Sequence, residues 1–233
     1  MNLFIKNLVA TILILFISIF VHSQEIDSPK NEITKTKYYT KDYPEGQYET
    51  LDDFLNKKVT SEFKLRRQGV NFFDDTPIHK DSVRNIIFFF KIIDGMKFKK
   101  AFAISYEGNV YVQQRYLHEF AKKGDKNEVG DNENSYHRVL NDGNFFYMEG
   151  SFANKWAKGF AYGSGGAVGA TIGASLNKLK GVIFDFEKKE VDFIKNCNDY
   201  NEFLLNYSIE TIDCKNTDFN VLIVRETIDK VIK

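Results

Sequence analysis

The sequence predicts an α+β fold: a mainly antiparallel meander sheet of about six or seven strands, with short helices and a C-terminal helix. Three pairs of β-prone segments, each pair separated by a short turn, predict three hairpins. Near the C-terminus, apolar residues recur at steps of three and four, which is the spacing of one helical face. No long internal repeat accompanies the hairpins, so they indicate a meander rather than a duplication.

The first elements follow from local patterns. Thr50 and Asp53 form a capping-box pattern that predicts a short helix over residues 51–57. Residues 62–67 alternate apolar and polar side chains, which predicts a short strand. Residues 84–94 are apolar at both odd and even positions, so we expect a central strand buried on both faces, with a buried helix as the alternative.

Turn residues define the hairpins. The predicted pairs are residues 101–106 with 110–115, 136–140 with 144–148, and 181–186 with 191–195. The second pair flanks Asp142-Gly143, a dipeptide that favours tight hairpin turns.

Two helices are predicted after the last hairpin. Asp199, with Glu202 three positions later, predicts an N-cap and a short helix that ends near Tyr207. Asp218 can begin the C-terminal helix. The apolar face of that helix consists of Val221, Val224, Ile228 and Val231.

The N-terminus has the pattern of an export signal. Lys6 precedes a 14-residue apolar run over residues 8–21, which suits a signal peptide better than a membrane span of about 20 residues. The expected domains are a signal peptide at 1–23, cleaved near Ser23/Gln24, a flexible polar leader at 24–42, and one globular α+β domain at 43–233. An uncleaved N-terminal anchor is the alternative. The prediction is an exported protein, either periplasmic or secreted.

Charge and composition narrow the range of partners. The chain has 32 basic and 32 acidic residues, so loss of Lys6 with the signal leaves 31 and 32, a net charge of −1. A near-neutral chain has no long-range attraction to nucleic acid or to anionic lipid. We therefore expect no nucleic-acid partner, and the sequence names no other partner.

Cys197 and Cys214 are the two cysteines of the chain. In an oxidising compartment an even pair predicts a disulfide, and the alternative is two buried free thiols. Closing the intervening 16-residue loop would stabilise the fold by roughly 3 kcal/mol.

A glycine-rich segment spans residues 159–177. Gly165, Gly169 and Gly173 lie four apart and could share one helical face that allows close approach of another helix. A buried packing segment, self-association and a membrane contact all remain open for this segment. A nucleotide loop does not fit, because the GxGxxG pattern fails at Val168.

Catalytic residues are not evident. His79, His118 and His137 remain after signal cleavage, but no nucleophile stands out beside them. A hydrolase with an unrecognised site around His118, His137 and the neighbouring acidic loop is one alternative function.

No cofactor and no metal site are expected, since the chain lacks HExxH and CxxC spacings. Asp125, Asn127 and Gly130 match part of a calcium loop, but Tyr136 stands where a glutamate is needed. Loose cation binding through Asp125, Asp131 and Glu133 is the alternative to a solvated loop.

The order of the segments resembles a group of exported proteins from Bacteroidota-type bacteria whose function is unknown. Residues 43–58, 102–113, 136–150 and 181–204 carry the resemblance. Gly46, Tyr48, Thr50, Asp53 and Phe54 match the motif with which the proteins of this group begin. The resemblance covers most of the chain after the signal and implies an exported location, but it brings no activity. The resulting prediction is an exported, soluble, non-catalytic protein with a binding or structural role, with self- or membrane association through 159–177 as a second alternative function.

Overall fold

The structure is a computed structural model that describes residues 36–69, 84–126, 132–152 and 179–231. This part of the chain forms nine strands and four helices, which confirms the α+β class. The strands are β1 Gly46–Tyr48, β2 Leu65–Gly69, β3 Ile86–Lys91, β4 Ala103–Tyr106, β5 Asn109–Gln113, β6 Tyr136–Arg138, β7 Phe146–Gly150, β8 Lys180–Asp185 and β9 Glu190–Ile194. The helices are α1 Leu51–Leu55, α2 Gln114–Phe120, α3 Cys197–Asn206 and α4 Val221–Val231. None of these helices is long and apolar enough to cross a membrane.

The strands form two antiparallel sheets instead of one meander. The larger sheet has the order β1-β4-β5-β6-β3-β2, and the smaller has the order β7-β8-β9. Only the smaller sheet is a simple meander. In the larger sheet β1 lies beside β4 and β3 lies beside β6, so two of its pairings join strands that are distant in sequence.

Two of the three predicted hairpins are confirmed. Strand β4 pairs with β5 around the turn between Tyr106 and Asn109, and β8 pairs with β9 between Asp185 and Glu190. The predicted pairing of residues 136–140 with 144–148 forms only at its inner end, where the Leu140 N–H donates to the Tyr147 carbonyl over 2.8 Å. Strands β6 and β7 themselves belong to different sheets. Strand β6 is bonded to β5 on one side and to β3 on the other, which leaves β7 no free edge.

Strand β3 is buried on one face only, contrary to the sequence-based expectation. Ile87 and Phe89 are fully buried, whereas Phe88 and Phe90 on the opposite face are half-buried. Lys97 and Arg66 lie over the rings of these two phenylalanines. The cationic side chains therefore take the place of a second apolar layer on this face.

The apolar residues form three clusters that alternate with the sheets. The larger sheet encloses the first cluster, with contributions from β2 to β6. The second cluster contains buried side chains of both sheets and of α1, including Phe54, Phe102 and Phe184. The third lies on the other face of the smaller sheet and is covered by α3 and α4.

Local signals explain most helix boundaries. Helix α1 begins at the predicted capping box, in which the Thr50 side chain accepts from the Asp53 N–H and the Asp53 carboxylate accepts from the Thr50 N–H. Helix α3 is capped by Asn196 rather than by the predicted Asp199. Helix α2 was not predicted, since residues 110–115 had the pattern of a continuous strand and the helix begins at Gln114.

Helix α4 confirms the predicted C-terminal helix and its apolar face. Val221, Val224 and Ile228 are buried, and Val224 and Ile228 belong to the third cluster.

The packed chain begins before the expected boundary at Tyr43. Tyr38 exchanges two backbone hydrogen bonds with Gly143, and its ring lies 4.7 Å from that of Phe186. The signal prediction at 1–23 and the leader up to residue 35 lie outside the described residues.

Candidate functional site

A groove of about 640 Å³ lies beside the end of β3. We call it the lysine groove. Its lining consists of Glu49, Phe63, Lys91, Met96, Lys97, Phe98, Lys99 and Lys100. Four of these eight residues are lysines and three are apolar, so the groove combines positive charge with an apolar surface.

A tight turn after β3 shapes one wall of the groove. Lys91 N–H donates to the Met96 carbonyl over 2.9 Å, and the Gly95 N–H donates to the Lys91 carbonyl over 2.9 Å. Gly95 has a φ of +66°, a conformation in which a side chain would be strained. The chain then runs back beside β3, where the Phe98 N–H donates to the Phe89 carbonyl. Lys91 and Lys97 are thereby held at the same end of the sheet.

Aromatic rings support two of the lysines. The Lys91 ammonium lies 4.4 Å from the centre of the Phe63 ring. The Lys97 ammonium lies 3.5 Å from the centre of the Phe88 ring. Each such contact contributes about 0.5–1 kcal/mol at an exposed site, so these cations have preferred positions without any carboxylate.

The lysines of the groove have no carboxylate partner among the described residues. Among the ion pairs of the described residues, none involves Lys91, Lys97, Lys99 or Lys100. Partial burial lowers the pKa of Lys97, and the nearby Lys99 charge lowers it further. The groove therefore concentrates positive charge that an added anion would relieve.

Exposed apolar side chains surround the same site. Seven large apolar side chains are exposed in the described part of the chain, and four of them are Phe63, Ile92, Ile93 and Met96. Ile93 is 87 % exposed and Met96 is 60 % exposed. A concentration of exposed apolar residues in one place is typical of a contact surface rather than of a random distribution.

A second, smaller cleft of about 220 Å³ lies between β9 and α3 and has the opposite character. Lys122 is paired with Asp192, and Lys195 is paired with Asp125 at 2.6 Å. Its cations are thus neutralised by carboxylates of the same cleft. The described residues contain no group of three potential ligands placed to hold a metal ion.

The two described histidines lie in different environments. His118 is exposed near the end of α2. His137 is buried on β6, where its Nε2 lies 3.0 Å from Gln114 Oε1, and its ring stacks on Phe152. Gln114 Oε1 also accepts from the Ser135 hydroxyl over 2.8 Å. This buried network joins the start of α2 to β6.

The predicted acidic loop is only partly described. Asp125 is engaged by Lys195, as noted above, while Asn127, Gly130 and Asp131 lie outside the described residues. His79 also lies outside them.

The predicted disulfide is present. Cys197 and Cys214 are bonded, and their Cα atoms are 5.7 Å apart. The bridge ties the start of α3 to the segment that leads to α4. The glycine-rich segment 159–177, with Gly165, Gly169 and Gly173, lies outside the described residues.

One buried carboxylate connects the smaller sheet to α4. Glu149 on β7 is 2 % exposed, and its two oxygens accept from Arg225 Nε at 3.0 Å and from its NH2 group at 2.6 Å. The Tyr147 hydroxyl donates to the same carboxylate over 3.0 Å. Burial and the Glu149 charge raise the pKa of Tyr147. Since the carboxylate is enclosed and bonded on three sides, its role is to join β7 to α4.

Comparisons with family models, with curated proteins and with solved structures found no match for this chain. The site therefore has to be interpreted from its own chemistry.

Sequence reasoning missed the lysine groove because it used the charge of the whole chain. Residues 91–100 contain four lysines and one acid, Asp94, interleaved with apolar residues. A count of charge in short windows identifies this segment. Only the structure adds that the lysines converge with Phe63, which is distant in sequence.

Proposed function

We propose that the protein acts by binding, without turnover, and that the lysine groove is its binding site for an amphiphilic anion. The observation that carries this proposal is the set of four lysines that line one groove without a carboxylate partner among the described residues. An anionic head group would contact their ammonium groups, and the apolar part of the ligand would contact Phe63, Phe98 and Met96.

Lysine side chains favour a phosphate or carboxylate head group and do not require it to bind in one strict geometry. An ammonium is a compact charge on a flexible stem, so several lysines can adjust to one anion. Bidentate recognition by a planar guanidinium is absent from the lining of the groove. Glu49 is the one acid of the lining and would disfavour an anion beside it. The ligand class is therefore an anion with an apolar body, bound toward the lysine side.

The proposal includes an exported location. The signal pattern at residues 1–23 and the Cys197–Cys214 disulfide support it, because disulfides persist mainly in oxidising compartments. Periplasmic and secreted forms are both compatible with these two features.

Calorimetric titration with dodecyl phosphate tests the proposal, with dodecyl maltoside as the uncharged amphiphile, both below their micelle concentrations. We expect binding of the phosphate that weakens with added salt. The double variant Lys99→Glu, Lys100→Glu should weaken it by about tenfold or more, which corresponds to about 1.4 kcal/mol.

The matched control is Lys123→Glu, an exposed lysine in the turn after α2. It should leave affinity within about twofold, because screening limits surface charges to short range. All three substituted lysines are exposed, so unfolding free energies should stay within about 0.5 kcal/mol of the parent. Equal binding of dodecyl maltoside, or undiminished binding by the double variant, would refute the groove as an anion site.

A further inference from the structure

We infer that the occupant of this surface is an anionic lipid bilayer, which the protein contacts through the turn that follows β3. We call residues 92–96 the apolar tip. This inference rests on the proposed function of the lysine groove and names its partner. The tip and the groove are continuous, because Met96 belongs to both.

Three apolar side chains of the tip are exposed. Ile92 is 58 % exposed, Ile93 is 87 % exposed and Met96 is 60 % exposed. These three residues lie within five positions of one turn. Exposed apolar side chains beside lysines match a bilayer surface, in which acyl chains lie beneath anionic head groups.

Three backbone N–H groups of the tip have hydrogen-bond partners within the protein, which lowers the cost of contact with an apolar layer. The Gly95 N–H donates to the Lys91 carbonyl, and the Ile92 N–H donates to the Lys64 carbonyl, each over 2.9 Å. The Met96 N–H donates to Asp94 Oδ1 over 2.9 Å. Polar backbone groups that lack partners are costly in an apolar layer, so a closed turn of this kind can enter the interface.

The lysines are placed to contact lipid head groups when the tip is inserted. Lys91 and Lys97 flank the tip in sequence, and Lys99 and Lys100 follow directly. Long lysine stems can lie along apolar surface while their ammonium groups reach the head-group layer. Juxtaposed basic residues are attracted to anionic lipid surfaces in this manner.

The neutral net charge of the chain does not oppose this contact. At physiological ionic strength the screening length is about 8 Å, so a bilayer responds to the nearest charges and not to the whole protein. Residues 91–100 carry four lysines against Asp94. The Asp94 carboxylate is engaged by the backbone of the turn, as described above. The local charge therefore favours an anionic surface.

Vesicle sedimentation of the full chain without its signal tests the inference. The probes are phosphatidylglycerol–phosphatidylcholine vesicles and pure phosphatidylcholine vesicles. We expect partition to the anionic vesicles only, with a decrease of at least about tenfold for Ile93→Ser, since a large apolar contact is lost. The matched control Leu222→Ser, at a 56 % exposed position on α4, should partition like the parent.

The two proposals fail in different ways. Ile93 does not line the groove, so Ile93→Ser should bind dodecyl phosphate like the parent. Parent protein that binds dodecyl phosphate but does not sediment with anionic vesicles would overturn the bilayer and keep the groove. Failure to bind dodecyl phosphate would overturn the proposed function itself. Equal partition of Ile93→Ser and the parent would also overturn the bilayer as the partner. Binding of the protein to soluble polyglutamate in preference to vesicles would do the same and would indicate an acidic protein partner.

Discussion

The smaller sheet and the β2–β3 end of the larger sheet use the same kinds of residues in opposite ways. In the smaller sheet the aromatic side chains are enclosed on both faces, and the buried Glu149 is paired with Arg225. At the β2–β3 end, aromatic and aliphatic side chains are exposed and the lysines of the groove have no carboxylate partners among the described residues. The first region therefore provides stability, and the second is a surface suited to contact with another molecule.

Truncating one apolar side chain in the smaller sheet and one in the apolar tip should reveal the largest difference in stability between the two regions. Phe184→Ala should lower the unfolding free energy by about 3–5 kcal/mol, because it leaves a cavity at a fully buried site. Ile93→Ala should change it by less than about 0.5 kcal/mol, because the side chain is exposed. Urea unfolding followed by circular dichroism measures both. A similar loss for the two variants would mean that the tip is packed in solution.

The disulfide should give the next largest effect. Replacing Cys197 and Cys214 by serine should cost about 3 kcal/mol, the entropy of opening a loop of this length. The loop keeps a second attachment, because the Asn201 side chain exchanges two hydrogen bonds with the Ile212 backbone. The variant should therefore remain folded at room temperature. Its affinity for dodecyl phosphate should equal that of the parent, and a weaker affinity would contradict the separation of the two regions.

The pair between β7 and α4 should give the smallest of the three stability effects. Arg225→Met leaves a buried carboxylate without its cation and should cost about 2 kcal/mol. Lys230→Met, at an exposed position of the same helix, should cost less than about 0.5 kcal/mol. A second change, Glu149→Gln, should recover part of the loss, because it removes the stranded charge. Thermal unfolding of the parent, the two single variants and the double variant checks these expectations. Equal losses of stability for Arg225→Met and Lys230→Met would show that the pair with Glu149 contributes no more than an exposed charge.

The features that sequence could predict are those encoded over a few residues. The capping box at Thr50, the apolar face of α4 and the turns of two hairpins each depend on neighbours in the chain. The middle hairpin shows the limit of this reasoning. Leu140 and Tyr147 do bond across the predicted turn, but β6 and β7 join different sheets because β6 is already bonded on both sides.

The candidate site could not be predicted from the sequence for a related reason, because it also depends on contacts between distant parts of the chain. Each lysine of the groove can be found in the sequence, but only the folded surface shows that no described carboxylate pairs with it. The apolar run of β3 was equally ambiguous, since the same continuous apolar sequence is compatible with burial on one face or on both faces. Half-burial of Phe88 and Phe90 depends on Lys97, which returns beside them only after the turn at Gly95.

The bond between Glu149 and Arg225 also has a consequence for the order of folding. The two residues are 76 positions apart. Until α4 docks, the carboxylate that β7 must bury has no counterion, and burying an unpaired charge is costly. The strand pairings of the larger sheet use residues up to Arg138 and do not involve α4. We therefore expect the larger sheet to form without α4, whereas the smaller sheet reaches its final packing only when α4 docks.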